Sequence, residues 1–193
     1  MNEEENLEVA KENARKTYAA IVESISPSLV QKENQFVEAL ERHKGNGFTK
    51  LRYLFDFLER LYGAVSRFTP CKKGCNSCCH YPVSISDLEI AFIEQGTGVK
   101  RSKAYGEKRD YSGVPCPFLK GGACGIYEFR PFVCRTHVAL TRTAYWCAPN
   151  RCQVKEFPML RFSEVDKGFL SLASVEGNLT SHDIRQVFTT PKL

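Results

Sequence analysis

Apolar residues in the first third of the chain recur at helical spacing. Leu51, Leu54, Phe55, Leu58, Leu61, Tyr62 and Val65 form one stripe at a 3.6-residue period, which predicts a core-facing amphipathic helix. Upstream, Glu8 to Ser24 combines good helix formers with apolar Val9, Tyr18, Ala19 and Val22. Pro27 suits the first turn of a helix through Val30, Phe36, Val37 and Leu40 that ends near Gly45-Asn46-Gly47. From residue 68 the period is lost among turns, prolines and cysteines. One short helix interrupts that stretch. It starts at Ser86, where Glu89 three residues later completes a capping box. It runs through Leu88, Ile90, Ala91, Phe92 and Ile93, and Gly96 is its expected stop. Val138 to Trp146 fits a strand or a short helix equally well. A last helix is expected from Ser181, with Ile184, Val187 and Phe188 on its apolar side.

These elements predict a mainly α, small helical domain with a loop-rich cysteine core. Three regions make it up: N-terminal helices over 1–67, a cysteine region over 68–152 and a closing segment over 153–193. The first and last helices are expected to pack around the cysteine centre.

Composition sharpens the reading of those cysteines. A chain of 193 residues with 42% hydrophobic residues can build a core without disulfides. No apolar run approaches the ~18 residues that would span a bilayer, so no membrane partner is expected. The start, Met1 to Glu5, is acidic and polar. It lacks the basic-then-apolar pattern of a secretory signal, which makes the cytoplasm the expected compartment. Thiols stay reduced there, and clustered cysteines mean metal or redox chemistry rather than disulfides. All nine cysteines lie between 71 and 152, and an odd number cannot pair completely. The same segment holds twelve Lys and Arg against six Asp and Glu, which accounts for the positive balance of the whole chain.

The densest array is Cys71-Lys72-Lys73-Gly74-Cys75-Asn76-Ser77-Cys78-Cys79-His80. Thiolates are soft donors that suit zinc, cuprous copper and iron–sulfur clusters. Gly74 permits the backbone bend that wrapping a metal requires. Cys78 and Cys79 are adjacent, and neighbouring side chains diverge, so one of the two serves a second site or packs. A second array holds Cys116, Cys124 and Cys134, with Pro117, Gly125 and Pro131 among them. Cys147 and Cys152 form a weaker third. The candidate metal ligands are Cys71, Cys75, Cys78, Cys79, Cys116, Cys124, Cys134 and Cys147. Arg130 and Arg135, with Lys72 and Lys73, would offset the negative charge of a thiolate site. His80 and His137 stand beside the arrays as ligands or as hydrogen-bonding neighbours. A zinc ribbon shows two C-x2-C knuckles, and here only Cys75 and Cys78 have that gap. The uneven spacings favour an iron–sulfur cluster over zinc.

Residues 71–137 resemble the bacterial YkgJ-type cysteine-cluster proteins, described as zinc- or iron-chelating. The resemblance is carried by Cys71 to Cys79, Val83 to Glu89, Cys116 to Leu119, Cys124 to Pro131 and Cys134-Arg135. The opening departs from the family's usual C-x2-C-x2-C-C, since three residues separate Cys71 from Cys75. The resemblance implies metal chelation with a structural, redox or sensory role. A flagellin lysine N-methylase is similar in its cysteine cluster, which implies a cluster-dependent protein-modifying enzyme as the alternative.

The spacing Cys71-x3-Cys75-x2-Cys78 also matches radical SAM enzymes, but the chain after it is too short for their barrel. The basic run Lys100, Arg101, Lys103, Lys108 and Arg109 is diluted by Glu107 and Asp110 and reads as a solvated loop, so nucleic acid is not expected. His43 and His182 read as solvated positions in helical flanks. A protein partner is left open. Nothing in the sequence singles out a catalytic residue.

Overall fold

The computed structural model of the chain describes residues 6–151, 157–177 and 181–188. Among these residues stand eight helices and four two-residue strands, so the molecule is mainly α. No helix among them is long and apolar enough to cross a membrane.

Helix α1 (Leu7–Ser24) opens at Asn6, whose side chain accepts the N–H groups of Glu8 and Val9. Its buried stripe is Ala10, Asn13, Ala14 and Ile21. Val9, Tyr18, Ala19 and Val22 point outward instead. Small alanines let the helix approach its neighbours closely, and the larger apolar residues are left on the outer face. The expected second helix is two, α2 (Pro27–Asn34) and α3 (Phe36–Arg42), broken at Gln35 (φ −101°, ψ 7°). The break swings the Phe36 ring onto Phe57, with centroids 4.7 Å apart. Helix α4 (Gly47–Val65) is capped by Asn46 and buries Leu51, Leu54, Phe55, Leu58, Leu61 and Val65 along the predicted stripe.

Helix α5 (Asp87–Thr97) has the predicted Ser86–Glu89 capping box. Its end differs from expectation: Gly98, at φ +73°, terminates it, and Gly96 lies inside. The missing side chain at Gly96 makes room for Phe129, whose ring a Cβ would meet at 2.0 Å. Helix α6 (Phe132–Thr136) carries Cys134, the last cysteine of the second array. Helix α7 (Ser163–Glu176) lies across α3 and α4 and has no counterpart in the sequence reading. Gly168 allows that approach, since a Cβ there would stand 3.1 Å from Leu40. Helix α8 (Ile184–Val187) starts later than Ser181, after strand β4 (His182–Asp183), and Phe188 caps its end. Strand β4 pairs antiparallel with β1 (Ser84–Ile85), joining Ser84 to Asp183 and Ile85 to His182. Val138 to Trp146 is neither strand nor α-helix; only a 3-10 turn at Tyr145–Cys147 forms. His43 stacks on Tyr53 and His182 packs against Tyr105, so both are partly covered.

Two hydrophobic clusters result. The larger joins α1, α3, α4, α6 and α7. The smaller joins Val83, Ile85, Phe118, Ile126, Ile184, Val187 and Phe188, with Cys116, Cys124 and Cys134 packed against it. Helix α5 serves both, turning Leu88 and Phe92 to the first and Ile90 and Ile93 to the second. The cysteine loops are therefore built against the last helix, as expected. Helix α1 belongs to the helical cluster instead.

Glu89 ties these parts together. One carboxylate oxygen accepts the Ser86 N–H and hydroxyl, both at 2.8 Å. The other accepts the Phe132 N–H at 2.7 Å, at the start of α6. The side chain is 2% exposed, and burial pushes its pKa up.

Candidate metal centre

The first cysteine array follows α4. Cys71 Sγ accepts the Ala139 N–H at 3.3 Å. A turn then closes from the Cys75 N–H to the Lys72 carbonyl at 3.0 Å, with Gly74 at φ +94°, the bend its sequence position suggested. A 3-10 turn over Ser77–His80 presents Cys78 and Cys79. Asn76 donates to the Gly122 carbonyl at 2.9 Å and fastens this turn to the second array.

That second array contains a hairpin. Strands β2 (Leu119–Lys120) and β3 (Ala123–Cys124) pair across Gly121-Gly122, at φ +55° and +78°. A two-residue loop with both φ values positive matches strand twist and favours glycine. Gly-Gly was the available signal for it. The Cys116 N–H donates to the Cys79 carbonyl at 2.8 Å, which brings the two arrays together. Cys134 comes from α6, which Glu89 anchors through Phe132.

Cys71, Cys75, Cys78, Cys79, Cys116, Cys124 and Cys134 line a single cavity of about 800 Å³. All seven are free thiols. Cys147 lies on a smaller neighbouring cavity of about 40 Å³, which His137 and Tyr81 share. His137 lines both cavities. Cys152 lies outside the described residues. Among the described residues, no three cysteine, histidine or carboxylate side chains converge tightly enough to hold one ion between them. The chemistry of the donor set nevertheless fits a thiophilic metal: soft sulfurs from separate loops share one cavity, with cations beside them.

Four cationic side chains line the cavity: Lys72, Lys73, Arg130 and Arg135. The Arg130 guanidinium lies 3.7 Å from the Tyr127 ring centroid and donates to the Tyr127 carbonyl at 3.0 Å. Its charge reaches Cys79, Cys124 and Cys134. Arg135 is buried and mainly braces the loop, donating to the carbonyls of Arg130 and Glu128 and to Glu59. His137 is half-buried, and desolvation pushes its pKa down. His80 has its Nδ1 buried without a hydrogen-bond partner, while its carbonyl accepts the Gly113 N–H at 2.8 Å.

A further cation escaped the sequence reading. Arg185 of α8 is 6% exposed and donates to the Cys79 carbonyl at 2.9 Å and the Val114 carbonyl at 2.8 Å. The spacing from Asp183 to Gln186 signals a helix start, but nothing local signals that this arginine reaches the cysteines.

Burial pushes the thiols of Cys71, Cys124 and Cys134 up, and that of Cys116 up to about 11. Cys79 is the exception. Cys78 donates a hydrogen bond to it and pulls its thiol down to about 7, and the charges of Arg185 and Arg130 act in the same direction. In metal-stripped protein at about pH 7.5, iodoacetamide should therefore modify Cys79 at least ~10-fold faster than Cys116. Lowering the pH to about 6 protonates Cys79 and should slow it several-fold. Peptide mass spectrometry over a time course reads both rates. Equal rates for the two cysteines would refute the assignment.

No curated protein and no solved structure shows a significant match to the chain. A family model does match, over residues 70–153, and its description is "CxxCxxCC: Putative zinc- or iron-chelating domain". The matched segment holds both cysteine arrays and all seven of the cysteines that line the cavity.

Proposed function

We propose that the protein binds metal in the cysteine-lined cavity, as an iron–sulfur cluster in preference to zinc, in a structural, redox or sensory role. The observation that carries this reading is the meeting of seven thiols from distant loops on one cavity. Cys78, Cys79, Cys116, Cys124 and Cys134 are the favoured ligands, because the charge of each acts on others of the five. Cys71 and Cys75 line the same cavity. A bound metal supplies thiolate coordination that cross-links the loops. The chain's own residues present the sulfurs on hydrogen-bonded turns, and Lys72, Lys73, Arg130 and Arg185 would offset their charge. Cys147, His80 and His137 stand at the margin of this arrangement. Ligation would need the sulfurs closer together than they stand as thiols, which would couple metal uptake to tightening of these loops.

Uneven spacing and a ligand surplus beyond the four of a closed zinc site favour the cluster. A second reading, an enzyme acting on a substrate beside the metal, is favoured by the cavity's size. About 800 Å³ lies within the range of small-molecule sites.

Purification without oxygen, with iron, sulfide and zinc assayed on one sample, tests the proposal. Matching iron and sulfide with broad visible absorbance is the expected result. Tightly held zinc with no iron would replace the cluster with a zinc site and weaken the redox role. A chain with neither metal, which also fails to take up either after reduction, would end the metal reading.

A further inference from the structure

The C-terminal residues 181–188 lie beyond the matched segment, yet they are built into the cysteine centre. Strand β4 pairs with β1, immediately after the first cysteine array. The Val83 N–H donates to Asp183 Oδ2 at 2.7 Å, and the Ile184 N–H donates to the Val83 carbonyl at 2.9 Å. Asp183 also pairs with Arg185 at 3.2 Å, which fixes the guanidinium. The same guanidinium holds the Cys79 and Val114 carbonyls, so it clasps one residue from each array's approach. Ile184 lines the cavity itself, and Val187 and Phe188 complete the hydrophobic cluster on which Cys116, Cys124 and Cys134 pack.

We infer that residues 181–188 form a latch on the metal centre, with Arg185 as its positioning residue, so that docking of the latch and metal binding stabilise each other. This rests on the metal-binding reading above. The Arg185 guanidinium, held on the Cys79 carbonyl, sets a positive charge beside a centre whose sulfurs carry negative charge when they ligate. The clasp on the Cys79 carbonyl also limits the motion of the turn that presents Cys78 and Cys79. By linkage, whatever factor the docked latch adds to metal affinity, the metal returns to the docking equilibrium.

The test compares the full-length chain with Arg185→Gln and Arg185→Lys, each reduced, stripped and reloaded with zinc ion alone. Chelator competition gives affinity, and hydrogen exchange reports on residues 181–188 with and without zinc. Wild type is expected to exchange more slowly in 181–188 when loaded, while α3 and α4 change little. Arg185→Gln should bind zinc about tenfold more weakly, as is typical for loss of a group that orients a ligand. It should also lose most of the zinc-dependent protection. Arg185→Lys keeps the charge but not the two-carbonyl clasp, and its affinity should fall between the other two. If wild type binds zinc but exchange in 181–188 is the same with and without it, the latch is wrong and the metal reading stands. Unchanged affinity in Arg185→Gln overturns the latch equally. The wild-type exchange comparison decides the matter even if a variant fails to fold. A wild-type chain that takes up no zinc and carries no iron overturns both readings.

Discussion

Cys134→Ser is expected to yield a protein that keeps its helices and loses its metal. Cys134 sits inside α6, half-buried, and desolvation pushes its thiol up. Its charge interacts with those of Cys79, Cys116 and Cys124, with which it shares the cavity. Serine preserves the size and the helix but replaces a soft donor with a hard, protonated one. Removing a group that merely orients a ligand costs about 10- to 100-fold in affinity, so losing a ligand should cost more than ~100-fold. Cys78→Ser should behave alike, since Cys78 adjoins Cys79 and its charge reaches Cys134. Metal content per chain after gel filtration is the measurement, with far-UV circular dichroism as the check on folding. Full metal content in Cys134→Ser would remove it from the ligand set and shift the centre toward Cys71 and Cys75.

The second large effect is expected at Glu89. Its carboxylate satisfies the Ser86 N–H and hydroxyl on one side and the Phe132 N–H on the other. Alanine would leave the Phe132 N–H buried without an acceptor and remove the capping box of α5. An unsatisfied buried donor costs about 1–3 kcal/mol, and a lost cap about 1 kcal/mol. Glu89→Ala should therefore destabilise the fold by roughly 3 kcal/mol, measured by urea denaturation of metal-free protein. Glu89→Gln keeps one acceptor oxygen and should fall between. Because α6 carries Cys134, metal affinity should drop with stability. A loss under about 1 kcal/mol for Glu89→Ala would mean that water replaces the carboxylate and the link is dispensable.

The parts of this structure that depend on local pattern were legible in the sequence. The α4 stripe is buried as spaced, and Ser86 caps α5 as its motif suggested. Where local signals were weak or had two meanings, the reading failed. Helix α7 begins after Phe162 with no side-chain cap, and Gly168 interrupts its stripe. Its apolar side is nonetheless present in Val165, Leu172 and Ala173. Gly96 resembles a helix stop, but its role is to admit Phe129 from a loop far along the chain. On α1 the larger apolar residues drew attention, while the buried face is made largely of alanines. The candidate site divides in the same way. Which cysteines exist is plain from the sequence. That seven share one cavity depends on the hydrogen bond from Cys116 to Cys79, on the Gly121-Gly122 hairpin and on the placing of α6. The second task of Glu89 and the whole task of Arg185 arise from contacts between segments 43 and 106 residues apart.

The pairing of Val83 with Asp183 joins residues 100 positions apart. Closing so long a loop carries an entropic cost that grows only with the logarithm of its length. A metal bridging Cys79 to Cys134 would shorten the free path between those two residues to roughly half. Halving a loop lowers the closure cost by only about 0.6 kcal/mol. Cross-linking alone would therefore favour the pairing of β1 with β4 by less than threefold, whichever metal is bound. A larger dependence of that pairing on metal has to come from direct contacts at the cysteine loops rather than from shortening the chain.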